Sequence, residues 1–251
     1  MRIRGHVAQN SYGVALATFL MFPNHATATS IILVRRPAHI VLAADSLAIS
    51  AKPHMVCKIS HQGIVFYASA GVVDNTTTGF SAQAIAAQSA KATGSVAAAA
   101  RQFADKARSP FSISLTEIRR DHPDFYGREV RGKPEPLQTI FASMEKKIPV
   151  FALVYFTIKE TPGQVDVDSH ISDCPGTACR SGYAAQLLGE DRAASKLGAV
   201  PSFWDRGDIE AAHQMVAAEI TDRPGRVGGP VDIVLLNANG WRWLNKKQEC
   251  R

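Results

Sequence analysis

The strongest constraint on the fold lies in residues 29–46, TSIILVRRPAHIVLAADS. Two short runs rich in β-branched and aliphatic residues, TSIILVRR and HIVLAADSLAIS, are separated only by Pro37 and Ala38. That arrangement predicts an antiparallel hairpin. Two further runs follow around Gln62 and Gly63 in CKISHQGIVFYASAG, so this part of the chain opens with four strands. The pattern then changes. Residues 75–108 are alanine-rich with apolar residues at helical spacing, and Asp74, Asn75 and Thr76 offer caps, which predicts one long helix or two shorter ones. Residues 109–136 are irregular and proline-bearing, and read as a helix fragment followed by an exposed loop. VFALVYFTI and QVDVDSHI predict two strands around Pro162 and Gly163. SGYAAQLLGEDRAASKLG and DIEAAHQMVAAEITD predict helices, the second with Ile209, Ala212, Val216 and Ile220 on one stripe and Asp208 well placed at its start. The chain closes with VDIVLLNANGWRWLN, a hairpin turning at Asn239 and Gly240. Strands, helices, strands, helices, strands predict a layered α+β domain on antiparallel sheets. With 251 residues and 46% apolar content the chain can bury a full core, and no linker argues for a second domain.

Charge and targeting signals narrow the setting. The net charge is +6, but the basic residues are scattered. In the densest region Arg119, Arg120, Arg128, Arg131 and Lys133 alternate with acids and prolines, which describes a solvated loop and argues against nucleic acid as a partner. At the N-terminus Arg2 and Arg4 precede an apolar stretch at 14–22, Pro23 breaks it, and Ala26-Thr27-Ala28 forms a small-x-small site. That order predicts a signal peptide over residues 1–28, hence a periplasmic or secreted protein. The alternative is a cytoplasmic protein whose first 28 residues are a self-cleaved pro-segment. The apolar stretch is too short to span a bilayer, and no cysteine adjoins the cleavage point, so no membrane anchor is expected after processing. In an oxidising compartment Cys174 and Cys179 are close enough in sequence to close a small disulfide loop, while Cys57 and Cys250 either pair or stay reduced. One C-x4-C without a second pair gives no reason to expect zinc, and neither a metal nor another cofactor is predicted.

Cleavage after Ala28 would expose Thr29 with a free α-amine and a hydroxyl on one residue. With a reference pKa near 7.7 to 8.0 such an amine can accept the hydroxyl proton, so one residue serves as nucleophile and base. Chemistry of this kind wants a nearby cation and a carboxylate to hold it. Asp45 ends the second strand, Lys58 opens the third and Thr29 begins the first, so the three can converge at one end of the sheet.

These residues resemble the N-terminal nucleophile hydrolases, and within them the proteasome β-subunit type. That family opens its mature chain with a threonine, a short strand, and a second strand ending in Ala-Asp or Gly-Asp at a fixed distance. Residues 29–46 match this without a gap, with Thr29 at the nucleophile and Asp45 at the aspartate. Counting from Thr27 places the aspartate two residues too far. CKI matches the lysine strand, with Lys58 about three residues early. ASAGVVDN resembles the turn before the family's first long helix, whose backbone N–H groups form the oxyanion hole, which carries over to Ala70 or Gly71. Beyond that turn the match thins. The family's Gly-Ser-Gly loop corresponds to Ser181 in TACRSGYAA or, by strict alignment, to Cys179. Its Asp before Ser-Gly-Gly corresponds to Asp222, two residues early, with Val227 in place of the serine before Gly228 and Gly229.

The resemblance implies a four-layer αββα sandwich over residues 29–251, two antiparallel sheets flanked by helices. It implies a threonine-type hydrolase acting on peptide or other amide bonds, with self-association into a homo-oligomer. An exported copy would work without an ATP-dependent unfoldase, since that compartment lacks ATP. The altered loops around Ser181 and Val227 favour the competing expectation, a catalytically inactive module with an assembly or binding role.

Overall fold

The computed structural model describes residues 29–48, 54–177, 179 and 184–247. The signal segment expected over residues 1–28 lies outside them.

The first hairpin forms as the sequence predicts, with β1 (Ser30–Arg35) antiparallel to β2 (His39–Ala44). It lacks polar alternation because both of its faces are covered. Ile31 and Leu33 point into a core shared with Phe66 and Ile140, while Ile32 and Val34 pack with Val41 and Val216 on the opposite face. A short ribbon, β3 (Leu47–Ala48) with β4 (His54–Met55), precedes β5 (Ile59–Gln62) and β6 (Val65–Gly71), the second expected hairpin. Another two-stranded ribbon, β7 (Asp74–Asn75) with β8 (Phe80–Ser81), leads into helix α1 (Ala82–Thr93) and then α2 (Val96–Asp121). The caps expected at residues 74–76 are instead supplied by Ser81 and Ser95, whose hydroxyls accept the N–H groups of Ala84 and Ala98.

Residues 109–136 are not a helix fragment with a solvated loop. α2 runs through Pro110 to Asp121. One missing N–H is outweighed by the continuous burial of Phe111, Ser114, Leu115 and Ile118 on the helix face. Beyond it α3 (Pro123–Tyr126) and a π-helical turn (Gly127–Arg131) bury Tyr126, Glu129 and Val130.

Three strands follow: β9 (Leu137–Glu145), which comes directly after that irregular stretch and to which the sequence reading gives no element, then β10 (Ile148–Thr161) and β11 (Gln164–Cys174). The disulfide between Cys174 and Cys179 closes the small loop after β11. Cys57 is also disulfide-bonded, and Cys250 lies outside the described residues.

The next segment corrects the sequence reading. Ala184–Gly189 is strand β12 rather than helix, and only α4 (Arg192–Gly198) is helical. Alanine, glutamine and leucine favour helix, but pairing with all six residues of β1, from Ser30 opposite Gly189 to Arg35 opposite Ala184, overrides that preference. A 3₁₀ turn (Pro201–Arg206) leads to α5 (Asp208–Asp222), which matches the expected helix. Its buried face is Ala211, Ala212, Met215, Val216 and Glu219, and Ile209 on the expected stripe is exposed. β13 (Asp232–Asn237) and β14 (Gly240–Asn245) form the last hairpin.

The protein is α+β with two antiparallel five-stranded sheets, ordered β12-β1-β2-β13-β14 and β11-β10-β9-β6-β5. They face each other across a core containing Leu42, Phe66, Ile140 and Val234. α1 and α2 cover the second sheet, and α4 and α5 cover the first. Small residues such as Ala86, Ala99 and Ala104 let the paired helices lie close to the sheet, while Phe103 and Phe111 meet Phe156 edge to face. Phe111→Ala removes a ring at zero exposure, and a loss of about 3–5 kcal/mol is expected. Urea unfolding with an unchanged slope and a lower midpoint checks it; an unmoved midpoint contradicts this view of the helix–sheet layer.

Candidate active site

Asp45 lies just past β2 with no exposed surface, and its carboxylate collects four donors. Oδ1 accepts the Ser30 N–H at 2.9 Å and the Lys58 ammonium at 2.7 Å. Oδ2 accepts the Leu47 N–H at 3.2 Å and the Gly228 N–H at 3.1 Å. Its backbone N–H in turn donates to the Ser30 carbonyl at 3.2 Å. The start of β1, the end of β2, the residue before β5 and the loop before β13 are thereby fastened to one side chain. A carboxylate this deep is tolerated because every lone-pair direction meets a donor and one donor is charged.

Thr29 sits one residue before Ser30 and is 5% exposed. Its carbonyl accepts the Glu190 N–H at 2.8 Å. Gly189 crosses it so closely, at φ +81°, that a β-carbon there would lie 1.9 Å from the Thr29 oxygen. Thr29 and Lys58 line one cavity of about 330 Å³, together with Ala48, Ser69, Val73 and Asp74. Lys58, 7% exposed, titrates below the ordinary lysine value. Burial is the main cause; Asp45 pulls in the opposite direction, and the charge of Lys247 adds to the lowering.

The other expected residues fall out as follows. Ala70 and Gly71 end β6, Ala70 fully buried and Gly71 at φ +95°, where a β-carbon would meet the Pro136 carbonyl at 2.2 Å. Gly71 opens onto a second cavity of about 390 Å³ shared with Gln138, Gly189 and Glu190. Ser181 lies outside the described residues, and Cys179 is taken up in the disulfide. Asp222 ends α5 in a two-pronged pair with Arg192 at 2.6 Å, with Arg223 at 3.5 Å. None of these contacts reaches Thr29, Asp45 or Lys58. Val227 is buried.

The structure thus brings Thr29, Asp45 and Lys58 together and leaves Asp222 in a surface ion pair. It adds groups that sequence reading did not assign: the N–H of Gly228 on Asp45, and Gly189 and Glu190 on Thr29. Gly228 carried a visible signal in its Gly-Gly pair, whereas Gly189 was hidden by a helix-like composition. Around this strip Glu190 pairs with Lys133 at 3.1 Å and Arg226 at 3.3 Å, and Arg226 also holds the buried Glu129 at 2.6 Å. Among the described residues no group of three or more His, Cys, Asp or Glu is placed to hold a metal ion, and no helix is long and apolar enough to cross a membrane.

No protein-family model matches the sequence, and no curated protein does. Among solved structures the chain is similar to Anbu (ancestral beta-subunit) from Yersinia bercovieri, with a TM-score of 0.50 and 13% identity over 87% of this chain and 88% of that one. The fold is therefore proteasome-like.

The lowered titration of Lys58 has a consequence for stability. The unfolded lysine, near 10.4, holds its proton to higher pH than the folded one, so stability rises with pH between the lowered folded value and about 10.4. Lys58→Met should lose this rise. Urea midpoints of the two proteins, taken as a difference across alkaline pH, test it; parallel curves contradict the assignment.

Proposed function

We propose that the chain is a threonine-type N-terminal nucleophile hydrolase, acting on peptide or other amide bonds once cleavage after Ala28 exposes Thr29. The observation that carries this reading is the Asp45 carboxylate, which holds the Lys58 ammonium at 2.7 Å and the N–H of Ser30, the residue next to Thr29, at 2.9 Å. Nucleophile and cation are so tied to one fixed anion, and both border the same cavity.

The Thr29 α-amine accepts the hydroxyl proton, directly or through a water, as Oγ1 attacks the amide carbon. Lys58, as the ammonium, lowers the energy of the developing alkoxide, and Asp45 keeps that ammonium in place. A backbone N–H at Ala70 or Gly71 receives the oxyanion. Collapse breaks the C–N bond, the amine returns its proton to the leaving nitrogen, and water attack on the ester releases the acid and restores Thr29. The signal segment is proposed to export the protein, which makes targeting and activation one cleavage, and small peptides or unfolded chains the natural substrates. Self-association in the manner of proteasome-like subunits belongs to the same proposal.

Two observations favour a second reading, an inactive module for assembly or binding. Buried Val227 replaces a polar residue of the resembled family, and Asp222 is spent on Arg192. The two readings separate on a labelling experiment. The mature protein should begin at Thr29, and an epoxyketone should modify it covalently. Thr29→Ala should lower the labelling rate on the order of 10³-fold or more, with Thr27→Ala in the precursor having no effect on the processed enzyme. A mature chain starting elsewhere, or labelling that survives Thr29→Ala, would falsify the hydrolase reading.

A further inference from the structure

A second buried lysine–carboxylate pair lies beside the first. Asp232 opens β13 opposite Ala44, the residue before Asp45. Lys247 follows β14, and the two ends of this lysine grip the same carboxylate. Its N–H donates to Asp232 Oδ1 at 3.0 Å and its ammonium to Oδ2 at 3.0 Å. The side chains are 5% and 2% exposed. A pair that merely closed the β13–β14 hairpin would need no more. The Lys247 ammonium, however, also donates to the carbonyl of Val56, two residues before Lys58. The Val56 N–H is bound at 2.8 Å by the carbonyl of Ser46, the residue after Asp45, and Cys57 between Val56 and Lys58 is disulfide-bonded.

We propose that Lys247, fixed by Asp232, is a positioning residue for Lys58: it pins the backbone that delivers Lys58 to Asp45 and sets a second buried cation against it. The inference rests on the threonine-hydrolase reading for its catalytic consequence, but not for its electrostatics. An ammonium suits the place because it can donate to a carboxylate and a carbonyl at once while carrying charge. The groups that face Lys58 are Asp45 from the end of β2, Lys247 from the segment after β14, and Thr29, His54 and Asp74 around the shared cavity. Asp45 favours the charged form of Lys58 and Lys247 opposes it. In the proposed mechanism Lys58 works as the ammonium, so its deprotonation forms the alkaline limb of the rate profile, and Lys247 moves that limb to lower pH.

The test follows Lys58 directly by NMR of ¹⁵Nζ-labelled lysine in the processed protein, beside the pH profile of epoxyketone labelling. Lys247→Met should raise the Lys58 midpoint and carry the alkaline limb upward with it. The ratio of labelling rates at pH 10 and pH 7 then grows roughly threefold or more. Lys247→Arg, which keeps the charge, should restore both. Lys247→Met takes the ammonium away from the buried Asp232 carboxylate, which keeps the residue-247 N–H, so if it does not fold, Asp232→Asn/Lys247→Met decides the matter with the same expected shift. A Lys58 midpoint that stays put in the folded variant, or a rate lowered equally at every pH, overturns the proposal. If the midpoint moves as expected while the wild-type protein is never labelled, the hydrolase reading fails and the Lys247 assignment stands.

Discussion

The Asp45 carboxylate is the contact on which the rest of the site hangs. Removing an ion of this size from water costs several kcal/mol, and a single salt bridge at that depth commonly does no more than offset the penalty. Asp45 avoids the deficit by adding three backbone N–H donors to the Lys58 ammonium, each hydrogen bond to a charged group contributing about 1.5–3 kcal/mol. Those backbone donors come from residues 15 and 183 positions away as well as from Leu47, 2 positions on. The arrangement therefore exists only when the residue before β5 and the loop before β13 have folded onto the β1–β2 hairpin.

The layers around it make that convergence rigid. β1 and β2 are buried on both faces, between the inter-sheet core and the α4–α5 layer, so the strand ends that carry Thr29 and Asp45 have little freedom to move apart. Asp208 at the start of α5 grips Arg36 and His39 at the opposite end of the same hairpin. The hairpin is held at its turn by one partly buried carboxylate and at its open end by one fully buried carboxylate. β12 completes the frame by pairing along the whole of β1, which brings Gly189 and the N–H of Glu190 onto Thr29.

Legibility in the sequence follows from what kind of group does each job. Thr29, Asp45 and Lys58 lie at set distances along one hairpin and the next strand, and a reader of the sequence can place them because local strand geometry controls their spacing. The same holds for β13 and β14, whose Asn239 and Gly240 turn is a local signal. β12 failed because its composition favours helix and only a distant partner strand makes it a strand, as Gly189 opposite Ser30 records. The stretch after Pro110 failed for a related reason. Proline predicts a helix end, and the burial of Phe111 through Ile118 is a tertiary fact that no local rule contains.

A similar argument accounts for the weakness of the second half of the resemblance. Past β6 the hydrogen bonds made directly on Asp45 and Thr29 come from main-chain groups, the N–H of Gly228 on Asp45 and the N–H of Glu190 on Thr29. A backbone donor can be supplied by almost any residue whose loop takes the right path. What selection on such a site restricts is the absence of a side chain where two backbones meet, as at Gly189 against the Thr29 carbonyl and Gly71 against that of Pro136. A proteasome-like fold shared at 13% identity is then what the physics allows. Side chains are restricted where a charge must be held, glycine where main chains touch, and the remainder only by burial. Replacing serine with Val227 next to Gly228 is tolerable on these terms, because the Gly228 N–H still reaches Asp45 at 3.1 Å while the valine side chain packs away from solvent.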